Sequence, residues 1–478
     1  MVAIVARVLF LTDEFLIDCL GIGYLSSALK CAGHETALVQ LPIALGDYQI
    51  GRAVELARRW HPHLLAYSVT TGQHKLWRDA NINIRAALHS DRCYPLSVFG
   101  GPHCTFFPDF IKERNVDVIC RGEGERAIVA LADAAVKSER RGDYSFEVEI
   151  PNLWLFQGSV KNDIAPLADI NSFAWPDREL LYSHERNARN PIRNVMASRG
   201  CPYNCPYCYN EAYRQIHKGK GETRRVRAPE DVVNEIEALV RDYPTRMIYF
   251  QDDILVIPRP WFYELTDRYA ARIGLPYHCH VRANLLVESD VAQLKRTGCH
   301  GVTLAIEAGN ELLRRLALNR RMSDGEIVQA CAWIREADLR LRTENMIGIP
   351  GETVASAWET IHLNRRCKPD VPWASLYQPY PGTKLGELAE EMGLCKVAPD
   401  DVKPSFFEDL VLRLKDRRKL IGMQRWFALA VRSRIIRCLL PLLIRLPRNH
   451  WSLRLSDWYR RRLYRTRLYK LENECKGR

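Results

Sequence analysis

Short apolar runs alternate with helix-capable stretches over most of this 478-residue chain, and few folds accommodate that alternation. Within residues 1–137 the runs Ile4–Leu11, Thr36–Leu41, Leu64–Val69, Leu96–Phe99 and Val116–Cys120 read as strands. Amphipathic stretches such as Tyr24–Cys31 and Arg52–Arg59 lie between them. Five strands interleaved with helices predict a parallel, doubly wound, Rossmann-like α/β domain whose ligands sit outside the strand C-termini. Those ends are rich in glycine or hydroxyl side chains, around Gly21–Ser26, Ser68–Gln73, Gly100–Thr105 and Arg121–Glu125. Residues 138–190 break the pattern and read as a linker with a short hairpin; Pro166, Pro176 and Pro191 punctuate the passage onward. From 191 to 395 the strand runs recur at Asn194–Ser198, Met247–Gln251, Tyr277–Val281, Val302–Ile306, Leu341–Met346 and Ala374–Gln378. Each is followed by a helix-capable stretch. Six βα units predict a partial (βα)6 TIM barrel instead of a closed eight-stranded one. Residues 396–478 then form a basic, mostly helical C-terminal region.

Composition excludes several classes. The chain is 47% hydrophobic, too apolar for disorder, yet no apolar run approaches the roughly 18 residues of a membrane span. The N-terminal run lacks a small-residue cleavage site and reads as the first strand instead of a signal peptide. Fifteen cysteines in so long a chain point to reduced thiols and a cytoplasmic protein, not a disulfide scaffold. The net charge of +12 is concentrated: residues 411–478 hold 20 basic and 4 acidic side chains, a local +16, and the remainder sums to −4.

The sharpest chemical signal is the loop Ser198–Asn210, in which Cys201, Cys205 and Cys208 follow the first strand of the second region. Thiolates are soft ligands suited to iron–sulfur clusters or zinc. Three of them leave one iron of a four-iron cluster open to an exogenous group. A structural zinc site normally closes with four protein ligands, and His217 is the nearest further candidate. Spacing and placement favour the cluster.

This pattern resembles the radical S-adenosylmethionine (SAM) superfamily, over roughly residues 190–390. The resemblance implies a [4Fe–4S] cluster on the three cysteines, with SAM chelating the fourth iron and cleaved to a 5′-deoxyadenosyl radical. It places Tyr207 near the adenine, Asp252 on the SAM amino group with Asp253 as the reserve, and Glu307 on the ribose. Arg320 would pair with the SAM carboxylate, with Arg321 competing. The runs Met346–Thr353 and Tyr380–Thr383 resemble the fifth- and sixth-strand turns of these enzymes. Each residue also has a plainer reading: an acidic pair after a strand is often a helix cap, a lone Glu a surface group, and Arg320 a solvated helix charge.

Gly21-Ile-Gly-Tyr-Leu-Ser26 lacks the third glycine of a dinucleotide fingerprint. A Rossmann-like domain ahead of such a barrel resembles instead the cobalamin-binding domain of cobalamin-dependent radical SAM enzymes, and Gly100–Thr105 and Arg121–Glu125 match that family's loops. The resemblance implies cobalamin contacts from Gly21, Gly23, Tyr24, Ser68, Thr70, Gly100, Gly101, Pro102, His103, Gly122 and Glu123, with Thr71 a further hydroxyl. Small residues would let a flat corrin approach the backbone. The mutase-type Asp-x-His-x-x-Gly motif is absent, so no His is expected on cobalt; His103 reads first as a turn-stabilising residue, with approach to the cobalamin the alternative.

The tail mixes cations, aliphatics and aromatics, which suits an anionic membrane surface. The same charge suits RNA or an anionic substrate, and the plain reading is a helical cap on the open side of the barrel with snorkelling cations. Nucleic acid is disfavoured by runs such as Leu439–Ile444.

The resemblance as a whole implies a methyltransferase acting on an unactivated carbon of a lipid or secondary metabolite, through the adenosyl radical and methylcobalamin. Radical cyclisation or rearrangement without methyl transfer is the alternative. A flavodoxin, ferredoxin or reductase would donate electrons. Methylthiolation of tRNA is disfavoured because Cys19, Cys31, Cys93, Cys104 and Cys120 are scattered instead of forming a second triad.

Overall fold

The structure, a computed structural model, describes residues 5–14, 18–42, 50–89, 91–141, 149–396, 398–446, 450–463 and 465–466. Ile4 of the first strand run, residues 142–148 of the expected linker and the tail beyond residue 466 lie outside the described residues. The chain divides into two compact units, one comprising the residues up to Pro191 with 212–225 and 241–244, the other comprising 192–211, 226–240 and 245 onward.

In the first unit, Val8, Leu9, Phe10 and Leu11 are all buried, as a strand covered on both faces requires. They belong to β1 (Arg7–Asp13). The sheet continues with β2 (Glu35–Leu41), β3 (Leu64–Ser68), β4 (Leu96–Gly100), β5 (Val118–Cys120), β6 (Leu153–Leu155) and β7 (Val160–Lys161), in the order β2-β1-β3-β4-β5-β6-β7. Strands β1 to β5 are parallel. Strand β1 runs to Asp13, two residues past the expected end, because Thr12 and Asp13 pair with Gln40 and Leu41. The order reverses between β1 and β3, which opens a crevice at their C-terminal ends. The hairpin read within residues 138–190 adds β6 antiparallel to β5 and β7 antiparallel to β6, so those residues extend the first sheet. Leu65, Tyr67, Trp77, Phe99 and Ile119 centre the core.

The second unit is built on β8 (Ile192–Val195), β9 (Met247–Phe250), β10 (Tyr277–Val281), β11 (Cys299–Glu307), β12 (Arg340–Ile347) and β13 (Val371–Leu376). Every neighbouring pair is parallel and the order is sequential, giving a curled half-barrel. Strand β12 shows how the two faces differ. Thr343 and Asn345 are buried against Asn364 of the helix Val354–Cys367, with Thr343 Oγ1 donating to Asn364 Oδ1 at 2.6 Å. The alternate residues Arg342 and Glu344 share the other face with Thr303, His280 and Trp373 by register.

The tail is helical over Arg417–Arg432, Arg434–Leu443 and His450–Leu463. Leu420, Met423, Trp426 and Phe427 of the first helix share a core with Ile347, Ala374 and Leu376. Gln424 Nε2 donates to Ala374 O at 2.9 Å, and Leu376 N donates to Phe406 O at 2.8 Å. The tail therefore covers the β13 edge, where unpaired backbone groups would otherwise be a liability. Among the described residues no helix is long and apolar enough to cross a membrane.

Candidate functional site

The second unit gathers its chemistry at the C-terminal ends of the strands. Strand β8 stops at Val195 because the chain turns inward: Ala197 N donates to Asp252 Oδ2 at 3.1 Å, and Ser198 Oγ donates to Asp252 Oδ1. The cysteine loop follows. Cys205 is buried and Cys201 and Cys208 are half-buried; Cys208 N donates to Cys205 O at 3.0 Å, folding the loop into a tight turn. Burial pushes both the Cys201 and Cys208 thiols up, Cys208 to about 11. Iron binding must therefore displace thiol protons.

Around this loop stand groups suited to a negatively charged cluster. Arg282 Nη1 lies 3.7 Å from Cys205 Sγ, and the same guanidinium sits 3.8 Å over the Tyr203 ring. Asn210 Nδ2 is 3.5 Å from Cys208 Sγ and 3.3 Å from Asp253 Oδ2. Among the described residues, no three His, Cys, Asp or Glu side chains converge as a single metal ion would need. Three thiols on one loop, with an arginine facing a sulfur, fit a thiolate-held cluster.

Three of the expected SAM residues meet beside the loop. Tyr207 Oη donates to Glu307 Oε1 at 3.1 Å, and Arg320 Nη1 donates to Tyr207 Oη at 3.3 Å. Arg320 Nη2 also donates to Ala305 O. Glu307 ends β11 at a register shift with φ of 71°, a left-handed conformation unusual for glutamate. Burial raises its carboxyl to about 7, partly opposed by Arg320. Arg321 is exposed instead and lines an open cavity of about 790 Å³ with Asn204, Pro206 and Arg315. The acidic pair is also split. Asp252 is buried and engaged by Ala197 and Ser198, whereas Asp253 is exposed beside Asn210.

On the half-barrel face away from the helices, Tyr249 Oη and His280 Nε2 are 3.0 Å apart, and His278 Nε2 is 2.8 Å from Thr303 Oγ1. Burial pushes both imidazoles down, favouring their neutral forms. This face is polar.

In the first unit, Ser68, Thr70, Gly100, Gly101, Pro102, His103 and Gly122 come together at the ends of β3, β4 and β5. Gly101 has φ of 98°, and a Cβ there would lie 2.8 Å from Val69 O. Over Gly100 the nearest atom to such a Cβ is Cys120 Cβ at 3.8 Å, and over Gly21 nothing lies within 4 Å. Bare backbone at Gly100 fits the approach of a large flat ligand, whereas Gly101 is glycine because its left-handed turn packs against Val69. His103 is buried, stacked on His74 at 4.1 Å, with Nδ1 3.3 Å from Thr71 Oγ1. Gly21 and Gly23 lie in the helix Leu20–Cys31 instead of a loop, and Tyr24 lies in it as expected. Tyr24 is buried, and Gly23 faces Pro176 closely. Glu123 is held bidentately by Arg225, and Gly122 N donates to Thr105 Oγ1 at 3.1 Å. Sequence reasoning missed Arg225 and Arg282. A lone arginine just past a third barrel strand was the available signal for Arg282.

Known proteins agree with this division. Residues 195–363 match the radical SAM superfamily model and residues 6–132 the B12-binding domain model. An uncharacterized methyltransferase of Pyrococcus horikoshii is 24% identical over 384 residues, covering 77% of this chain and 78% of the relative. The anaerobic magnesium-protoporphyrin IX monomethyl ester cyclase of Cereibacter sphaeroides is 29% identical over 384 residues, 76% of this chain and 59% of that protein. The hopanoid C-3 methylase of Methylococcus capsulatus is 24% identical over 391 residues, 79% and 70%. In fold, the chain is similar to the radical SAM methyltransferase TsrM of Kitasatospora setae, with TM-score 0.66 and 18% identity over 82% of this chain and 77% of that one. A B12-binding domain followed by a radical SAM half-barrel defines the class. These two domains place the chain among the cobalamin-dependent radical SAM enzymes, with SAM, a [4Fe–4S] cluster and cobalamin as its cofactors.

Proposed function

We propose that this enzyme methylates an unactivated carbon of a hydrophobic small molecule, a lipid or secondary metabolite. When bound, the cofactors supply an adenosyl radical for hydrogen abstraction and a transferable methyl group. The observation that carries the reading is the buried Tyr207–Glu307–Arg320 network beside the cysteine loop. It offers a cation and an acceptor to a zwitterionic nucleoside ligand. In this reading Cys201, Cys205 and Cys208 hold the cluster and Arg282 balances its charge. Arg320 takes the SAM carboxylate, Glu307 the ribose, and Tyr207 borders the adenine. Asp253 takes the amino group, because Asp252 is committed to fixing Ala197 and Ser198. Ser68, Thr70, Gly100, Gly101 and Pro102 form the corrin-facing edge, and His103 braces it through Thr71 and His74.

The domain limits at 137, 190 and 395 belong to this reading, as do a cytoplasmic setting, a flavodoxin-, ferredoxin- or reductase-type electron donor, and contact of the tail with an anionic membrane. The hopanoid-methylating relative supports a lipid substrate. The cyclase relative favours one alternative, cyclisation without methyl transfer. Anaerobic turnover with methyl-labelled SAM against a panel of lipids and secondary metabolites separates them. Label in the product is expected; 5′-deoxyadenosine with product formed but no label in it would establish cyclisation or rearrangement instead.

A further inference from the structure

Two consecutive tail helices turn their largest apolar side chains outward. On Arg434–Leu443 and the turn after it, Ile435, Leu439, Leu442 and Leu446 recur at helical spacing and are exposed, Ile435 by 73% and Leu442 by 62%. The opposite side carries Leu440 and Ile444, which are buried in the core shared with the helix Arg417–Arg432. On His450–Leu463, Trp451, Leu455 and Trp458 repeat the pattern, with Trp451 exposed by 80%. Here too the other side is anchored: Ser456 Oγ donates to Arg425 O at 2.7 Å, and Leu463 packs with Val371 and Ala428. These helices are therefore not waiting for their core. Each has already packed one face and still presents a second apolar stripe.

Cations flank both stripes. Arg434, Arg454, Arg461 and Arg462 are exposed, and Arg462 lies 5.4 Å over the Trp458 ring. We propose that this double stripe is a peripheral docking face for an anionic lipid bilayer. The proposal gives named side chains to the membrane contact in the functional reading and rests on that contact, but its test is independent of turnover. Helices with aliphatic and Trp side chains on one face and arginine beside them suit the acyl–headgroup boundary, and the arginines suit anionic headgroups. A second copy of the chain fits poorly, because an isologous contact would bring two regions of local charge +16 together. Nucleic acid would use the arginines but gain nothing from exposed leucines.

Flotation of the full-length protein with phosphatidylcholine vesicles, with and without phosphatidylglycerol, tests the face. The wild type is expected to float with the anionic vesicles at low salt, with a blue shift of tryptophan emission. W451S/W458S and I435S/L442S should each lower partitioning about tenfold or more, with iron content and melting temperature unchanged. Absence of flotation on anionic vesicles at low salt would overturn the proposal. So would equal flotation of wild type and both variants, or sedimentation showing a wild-type dimer that the variants make monomeric. None of these outcomes bears on the chemistry at the cysteines.

Discussion

The two parallel sheets of this chain solve different problems with similar parts. In the first unit the strand order reverses between β1 and β3, and the crevice there is bordered by backbone: Gly100 and Gly101, with Ser68 and Thr70. In the second unit the order is strictly sequential, so the sheet curls, and its strand ends carry charged and sulfur-bearing side chains: Cys205, Arg282, Glu307 and Arg320. A reversed order leaves a slot that suits a broad flat ligand, bound by what the chain omits. A sequential order gathers side chains around one end, which suits a ligand bound by charge. The difference teaches where each site is fragile. The first is expected to fail when bulk is added, the second when a charge is removed.

Each half of that contrast can be broken separately. The larger effect is expected from Arg320→Gln. It leaves Glu307 and Tyr207 buried without their cation and should weaken SAM binding on the order of 100-fold, measured by equilibrium binding of SAM to the reconstituted protein, while cobalamin content stays at the wild-type level. If SAM affinity is unchanged, the charge-based reading of the second site is wrong. A smaller effect is expected from Gly101→Ala. The added Cβ would meet Val69 O in a left-handed backbone conformation, costing on the order of 2 kcal/mol. Cobalamin retention should fall and iron content should not. Full cobalamin retention by the alanine variant would show that the strained turn at Gly101 does not shape the crevice.

The sequence carried the features that repeat and lacked those that depend on distant partners. All six barrel runs lie at or within a few residues of observed strands, because each is a short run with one face buried under the helix-capable stretch that follows it. The cysteine loop was legible for a similar reason: its spacing is local. That Asp252 is buried against Ala197 and Ser198 while Asp253 is exposed was not, since those partners lie 55 and 54 residues away. Nor could an ordinary Gly-Glu-Gly loop show that Glu123 is committed to Arg225, 102 residues downstream. Gly21 and Gly23 were read at a strand end, but the run of apolar residues after them draws both into the helix Leu20–Cys31. In the tail, charge and apolar density were plain from composition, yet which leucines are buried and which are exposed follows only from where the helix Arg417–Arg432 sits on β13.

The central claim is that this one chain holds two cofactor sites of different construction, a thiolate-held cluster and a backbone-lined cobalamin crevice. Metal and cobalamin content of anaerobically reconstituted wild type and of the Cys201→Ala/Cys205→Ala/Cys208→Ala variant tests it most directly. The wild type should carry about four irons and cobalamin, and the triple variant should lose the iron and the broad visible absorption while keeping cobalamin. Zinc in place of iron in the wild type, or iron retained by the triple variant, would contradict the account.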